Sequence, residues 1–151
     1  MNLFIRNILL IGVFSCLTLA AAFAQEKVYS VYLIGDAGEP DSPVDLNLAL
    51  LKEKLALANE KSAVIFLGDN IYPKGLPPAD HPDREDMERK IIQQIEITKD
   101  FKGRRFVIPG NHDWKKGKKD GLTHIREQGE FVDDYFGGEQ VFFPANGCPG
   151  P

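Results

Sequence analysis

Short apolar runs, separated by longer segments of mixed polarity, dominate the hydrophobic pattern of the chain. Three of these runs are rich in Val, Ile, Leu and aromatic residues, which is typical of strands buried in a sheet. The three predicted strands cover residues 27–34, 63–67 and 105–108. A further apolar run at residues 141–143 predicts the beginning of a fourth strand.

The segments between and after the predicted strands carry apolar residues at helical spacing, which predicts amphipathic helices. Ser42 and Pro43 are typical of a helix start, so the first helix is predicted to begin there and to end near residue 59. Two further helices are predicted over residues 83–100 and 122–136. Strands that alternate with helices indicate an α/β fold, with parallel or mixed strands and flanking helices.

The N-terminal segment differs in character from the rest of the chain. Residues 8–23 are mostly apolar, Arg6 is the only charged side chain before residue 25, and residues 22–24 fit the small-x-small rule of signal cleavage. We therefore interpret residues 1–24 as a signal peptide. Residues 25–151 would then form the domain of an exported protein, in the periplasm, at the cell surface or in the medium.

Two alternatives remain for the N-terminal segment. It would serve as a retained anchor if it were not cleaved, although its apolar stretch is short for a membrane span, which needs about 20 residues. Lipidation at Cys16 is the other alternative, because the preceding residues loosely resemble a lipobox. Signal cleavage would leave Cys148 as the only thiol, either free or paired with a cysteine outside this sequence.

The bulk composition is that of an ordinary globular protein of one domain. The chain has 151 residues, of which 43% are hydrophobic and 26% are charged. Its formal net charge of −4 argues against a general binder of nucleic acid or anionic membranes, since such proteins are usually basic. We therefore expect no nucleic-acid partner, and no stable membrane span once the signal peptide is removed.

Side chains with metal-binding chemistry follow the ends of all three predicted strands. Asp36 follows the first strand, and Asp69 and Tyr72 follow the second. Asn111 and His112 follow the third. Ligands gather at the carboxyl ends of strands in open α/β sheets, and these side chains suit hard or borderline metal ions. Each motif alone also fits an ordinary turn or helix cap, but their joint occurrence predicts one metal site.

The three motifs resemble the first three sequence blocks of the calcineurin-like metallophosphoesterases. The matching segments are Gly35-Asp36-Ala37-Gly38, Gly68-Asp69-Asn70-Ile71-Tyr72 and Gly110-Asn111-His112-Asp113. Tyr72 is similar to the tyrosine of the purple acid phosphatase branch, the tartrate-resistant type. The resemblance covers residues 28–113 well. It implies the N-terminal half of an α/β/β/α sandwich, in which two facing sheets are flanked by helices.

The same resemblance implies a binuclear metal centre. Asp36 and Tyr72 would bind the first metal ion, which is iron in purple acid phosphatases. Asp69 would bridge both metal ions. Asn111 would bind the second ion, which is zinc, manganese or iron.

The resemblance also implies how the centre would act on a phosphate ester. A metal-bound hydroxide would attack phosphorus in line, while Asn111 and His112 bind the substrate. His112 would be the catalytic proton donor to the leaving group and is not a metal ligand. We expect Asp113 to support its neighbours or to fix the turn.

One departure from the family pattern concerns the histidines. The family completes its site with a lone histidine and a Gly-His-x-His segment, and neither follows residue 124 in this chain. We expect His81 and His124 to be ordinary surface residues. The chain is therefore expected to be the N-terminal portion of a longer protein, with residues 25–151 a partial domain that is inactive in isolation. The alternative is a short, self-standing protein that completes its core by dimerising.

Two classes of function compete on these motifs. The leading interpretation is an exported, metal-dependent phosphoric ester hydrolase related to acid phosphatases. The alternative is a non-catalytic, secreted α/β binding module on the same scaffold, although retention of both aspartates and of Asn111 and His112 speaks against it. A nucleotide-binding fold is disfavoured, because the chain has no Gly-x-Gly-x-x-Gly or Gly-Lys-Ser/Thr segment.

Overall fold

Among the residues that the structure describes, three parallel strands form one sheet, side by side in their order along the chain. The computed structural model describes residues 29–39 and 45–145. In it β1 is Ser30–Ile34, β2 is Ser62–Leu67 and β3 is Arg104–Ile108. The strands pair in register, with Ser30 opposite Ser62 and Ala63 opposite Arg104. The predicted strands and the α/β class with flanking helices are therefore confirmed, and the paired strands are all parallel.

Within the described part of the chain, three α-helices accompany the sheet: α1 is Leu46–Ala56, α2 is Arg84–Ile95 and α3 is Gly121–Tyr135. The prediction that α2 continues to residue 100 was wrong, because a short 3-10 turn, Glu96–Thr98, follows it. The Thr98 hydroxyl donates to the carbonyl of Ile95 at 2.7 Å, and the Arg105 guanidinium donates to the carbonyl of Thr98 at 2.9 and 3.0 Å. These side chains satisfy the carbonyl groups that a longer helix would have used.

The first helix is capped by Asp45 rather than by the predicted Ser42. The Asp45 carboxylate accepts hydrogen bonds from the backbone N–H groups of Asn47 at 2.8 Å and Leu48 at 3.0 Å. Ser42 and Pro43 lie outside the described residues. Aspartate satisfies free N–H groups as serine does, and its charge also complements the helix dipole.

The hydrophobic core lies on one face of the sheet. Val64 and Phe66 of β2 and Val107 of β3 are fully buried, in one cluster with the aliphatic side chains of the helices. The alternate residues of β1 point to the other face, where Val31 is 53% and Leu33 is 60% exposed. Because successive side chains of a strand face opposite ways, the sheet is covered by helices on one side and partly open on the other.

The predicted fourth strand is reduced to a single parallel bridge between Val107 and Phe142. Val107 donates its N–H to the carbonyl of Val141 at 2.9 Å, and Phe143 donates to the carbonyl of Val107 at 2.8 Å. The Asp133 carboxylate on α3 accepts the N–H groups of Val141 and Phe142, both at 2.8 Å. This segment is therefore held by α3 as well as by β3.

Several predictions fall on parts of the chain outside the described residues. They are the signal peptide at residues 1–24, lipidation at Cys16, the thiol of Cys148 and the first residues of the first predicted strand. Within residues 29–39 and 45–145, no helix is both long enough and apolar enough to span a membrane.

Replacement of Asp45 tests the observed helix start. Asp45→Ala should lower the free energy of unfolding by about 1 kcal/mol, because two N–H groups of the first turn lose their acceptor. Asp45→Asn is the matched control, because asparagine retains an acceptor oxygen. It should lower the free energy of unfolding by less than Asp45→Ala does. Urea unfolding followed by circular dichroism measures both changes, and equal losses would contradict the capping role.

Candidate metal centre

Two aspartates at the ends of neighbouring strands adopt left-handed backbone conformations. Asp36, after β1, has φ of 61°, and Asp69, after β2, has φ of 53°. Positive φ is uncommon for residues with a side chain, although aspartate is among those that tolerate it best. The backbone N–H of Asp36 donates to the carbonyl of Gly68 at 3.0 Å, which holds the two turns side by side.

The hydroxyl of Tyr72 lies between the two aspartate side chains. It donates to Oδ1 of Asp36 and also lies 3.1 Å from Oδ2 of Asp69. The hydrogen bond to Asp36 raises the pKa of the Tyr72 phenol above its ordinary value, with further contributions from burial and from Asp69. Three side-chain oxygen atoms from two loops therefore lie next to one another.

Asn111 lies at the rim of the same site. A shallow depression of about 300 Å³ is lined by Asn111 together with both aspartates and the turn glycines. A cavity of about 620 Å³ lies beside α3 and is lined by none of the predicted site residues. The smaller depression is the relevant one, because Asp36, Asp69 and Asn111 line it together.

His112 is fixed against the same residues. Its backbone N–H donates to Oδ1 of Asp69 at 2.9 Å, and its ring centre lies 4.0 Å from that of Tyr72. Its Nδ1 lies 3.0 Å from the carbonyl oxygen of Pro73, and because a carbonyl only accepts, Nδ1 carries a hydrogen in this arrangement. Nε2 is then the ring nitrogen that Pro73 does not engage.

A buried carboxylate, that of Asp113, connects the loops after β2 and β3. It accepts the backbone N–H groups of Gly110 at 2.7 Å, Asn70 at 3.1 Å and Ile71 at 3.0 Å. The side-chain amide of Asn70 lies 3.3 Å from the same carboxylate. Burial raises the pKa of Asp113 to about 6, although the three N–H groups oppose that shift.

Glycine is required where these loops approach each other. Gly68 has φ of +94°, and a Cβ on it would come within 2.6 Å of the backbone nitrogen of Gly110. A Cβ on Gly110 would collide with the Asp69 carboxylate. The absence of both side chains lets the two turns close on each other.

The sequence interpretation missed two polar side chains on α2 and one in the loop that follows β2. Asn70 donates to the carbonyl of Ile108 at 2.9 Å, and Gln94 donates to the carbonyl of Asn70 at 2.6 Å. Lys90 reaches the carbonyl of Tyr72 at 2.9 Å. A signal for Gln94 was present in the sequence, because a glutamine adjoins the apolar face of a predicted helix.

One histidine prediction was wrong. His124 was expected at the surface, but it is buried on α3 with 6% of its surface exposed. Its burial, and next the nearby charge of Lys115, hold its pKa below the usual range. His81 is exposed, and neither histidine lines the depression that holds the aspartates.

The donor set fits part of the predicted metal centre. Carboxylate, phenol and amide oxygens suit a hard cation, and Asp36, Asp69 and Tyr72 lie close enough together to share one. In the part of the chain that the structure describes, no group of three or more His, Cys, Asp or Glu side chains is placed to hold a metal ion. The four donors, including Asn111, are too few to fill two coordination spheres.

A parallel sheet with carboxylate, phenol and amide side chains gathered at the carboxyl ends of its strands defines an α/β protein with a candidate site at one sheet edge. The model of the calcineurin-like phosphoesterase family matches residues 29–147, more than half of the chain. The chain therefore belongs to the calcineurin-like phosphoesterases, a family of metal-dependent phosphoester hydrolases that generally bind two metal ions. Comparisons with curated proteins and with solved structures gave no match.

Replacement of Asp113 tests its structural role. Asp113→Ala should lower the free energy of unfolding by about 3 kcal/mol or more, since each buried N–H group left unpaired costs about 1–3 kcal/mol. Asp134→Ala, which removes an exposed carboxylate of α3, is the matched control and should change the value by less than about 0.5 kcal/mol. Urea denaturation measures both, and similar losses would refute the role.

Proposed function

We propose that this chain contributes one side of a binuclear centre that hydrolyses phosphoric esters, as in acid phosphatases of the purple type. The observation that carries the proposal is the position of the Tyr72 hydroxyl between the carboxylates of Asp36 and Asp69. A phenol held by two carboxylates is a suitable donor set for a trivalent iron ion. The likeness of the motif Gly68-Asp69-Asn70-Ile71-Tyr72 to the purple acid phosphatase branch supports the same assignment.

The residues divide between the two proposed metal positions. Asp36 and Tyr72 would hold iron, Asp69 would reach both positions, and Asn111 would hold a second ion of zinc, manganese or iron. The ions would supply an activated water molecule and would neutralise charge on the phosphate. The depression shared by Asp36, Asp69 and Asn111 supports this division.

Asn111 and His112 are proposed to bind the phosphate ester and to complete the reaction. Water adds to phosphorus as the bond between phosphorus and the ester oxygen breaks, and Nε2 of His112 donates its proton to that oxygen. The bond from the His112 N–H to Asp69 and the contact of its ring with Tyr72 support this role, because they fix the imidazole beside the metal ligands.

Export of the protein is part of the proposal. The apolar N-terminal segment and the cleavage signature at residues 22–24 support a location outside the cytoplasm.

Iron binding tests the assignment of Tyr72. The full chain loaded with Fe³⁺ should show a visible phenolate absorption band that disappears in Tyr72→Phe and persists in Tyr135→Phe, a tyrosine of α3. Asp69→Asn should weaken Mn²⁺ binding by at least about tenfold, because a charged ligand is lost. Calorimetry measures the affinity, and an absence of metal binding in the parent chain would favour the non-catalytic alternative.

Turnover of an aryl phosphate tests the role of His112. Because this sequence lacks the later histidine ligands of the family, the chain in isolation is expected to hydrolyse the substrate no faster than its His112→Ala variant. Robust turnover that falls by about 10²–10⁴ in His112→Ala would support the proton-donor role and would refute the expected inactivity. Lys99→Ala, which removes an exposed amine, is the control.

A further inference from the structure

Two side chains of α2, one helical turn apart, donate hydrogen bonds to the main chain of the β2 loop, defined here as residues 68–72. Nε2 of Gln94 donates to the carbonyl of Asn70 at 2.6 Å, and Nζ of Lys90 donates to the carbonyl of Tyr72 at 2.9 Å. Gln94 is fully buried, and the Lys90 side chain is only 16% exposed. Residues four apart share one helix face, so α2 presents both donors to the same loop.

The β2 loop is thus held from two sides. Asp113 accepts the N–H groups of Asn70 and Ile71, while α2 donates to the carbonyls of Asn70 and Tyr72. The bond from Lys90 reaches the carbonyl of Tyr72, the residue whose phenol meets the aspartates, while the N–H of Tyr72 donates to the carbonyl of Gly38 at 3.2 Å. Loss of Lys90 would free the carbonyl side of Tyr72 while the Gly38 and Asp113 contacts remain.

Lys90 also connects the β2 loop with the loop after β1. Its Nζ lies 2.8 Å from Oε2 of Glu39, three residues after Asp36. Glu39 is 60% exposed, so this ion pair is screened by water and is worth little alone. The partly buried bond to the carbonyl of Tyr72 matters more, because a largely desolvated ammonium needs its acceptors.

We propose that Lys90 is a positioning residue for the metal centre: its ammonium holds Tyr72 through the main chain and thereby sets the place of the phenol between Asp36 and Asp69. The proposal rests on the proposed function only in that these residues are metal ligands. The placement of the phenol in the metal-free chain does not depend on that assignment.

The first measurement uses the metal-free full chain with ring-labelled tyrosine. The nuclear Overhauser effect between the rings of Tyr72 and His112, whose centres are 4.0 Å apart, should fall about fourfold in Lys90→Met if the ring moves by about 1 Å. Lys90→Arg keeps the charge and a donor and should restore most of the effect. Lys99→Met removes a lysine that is 69% exposed and should leave the effect unchanged.

The second measurement follows the iron–phenolate absorption. Lys90→Met should shift the band and weaken iron binding by about tenfold, as replacement of a group that orients a metal ligand does. Lys90→Arg should retain the parental band. If Lys90→Met does not fold, Lys90→Gln replaces it in the same comparison. The glutamine side chain is polar but too short to reach the carbonyl of Tyr72 as Lys90 does.

The outcomes separate this proposal from the proposed function. An unchanged ring contact in Lys90→Met overturns the positioning role, whatever happens to iron. A changed ring contact with a parental absorption band also overturns it, because the phenol would then bind iron independently of Lys90. If the parent chain shows no band that depends on Tyr72, the proposed function fails and the ring contact alone decides the role of Lys90.

Discussion

The carboxylate of Asp113 is the contact on which the geometry of the candidate metal centre depends. It is buried, and it pairs three backbone N–H groups from the loops after β2 and β3. Without an acceptor these groups would be buried and unpaired, so neither loop could keep its conformation at low cost. This arrangement also positions the neighbouring side chains. Asp69 and Tyr72 belong to the loop after β2, and Asn111 and His112 belong to the loop after β3.

The second constraint is the backbone conformation of the two aspartates. A left-handed backbone conformation costs a residue such as Asp36 or Asp69 about 1–3 kcal/mol, so it persists only where the surrounding structure fixes it. Residues in such conformations cluster at functional sites. Here the strained turns bring two carboxylates onto one phenol. Glycine at positions 68 and 110 makes the approach sterically possible, and the contacts of α2 and Asp113 hold it.

The strands, their parallel arrangement and the placement of the polar motifs could be predicted from the sequence. Local apolar runs indicate the strands, and the glycine and polar residues that follow each run indicate where the strands end. The end of α2 could not, since it depends on the guanidinium of Arg105, which follows in the next strand. The buried His124 likewise contacts residues distant in the sequence, the backbone of Lys74 and Gly75. Lys90 was missed for a related reason, because a lysine on an amphipathic helix usually faces solvent and its acceptor lies 18 positions away.

The separation of the site residues along the chain has a consequence for folding. Asp113 and its partner Asn70 are 43 positions apart, and Tyr72 and Asp36 are 36 positions apart. Contacts between residues so distant close large loops, so the constellation exists only after all three strands have docked. Any ion that recognises the constellation binds the folded chain alone and shifts the folding equilibrium by mass action. Assembly of the sheet and capture of such an ion would therefore be one coupled reaction.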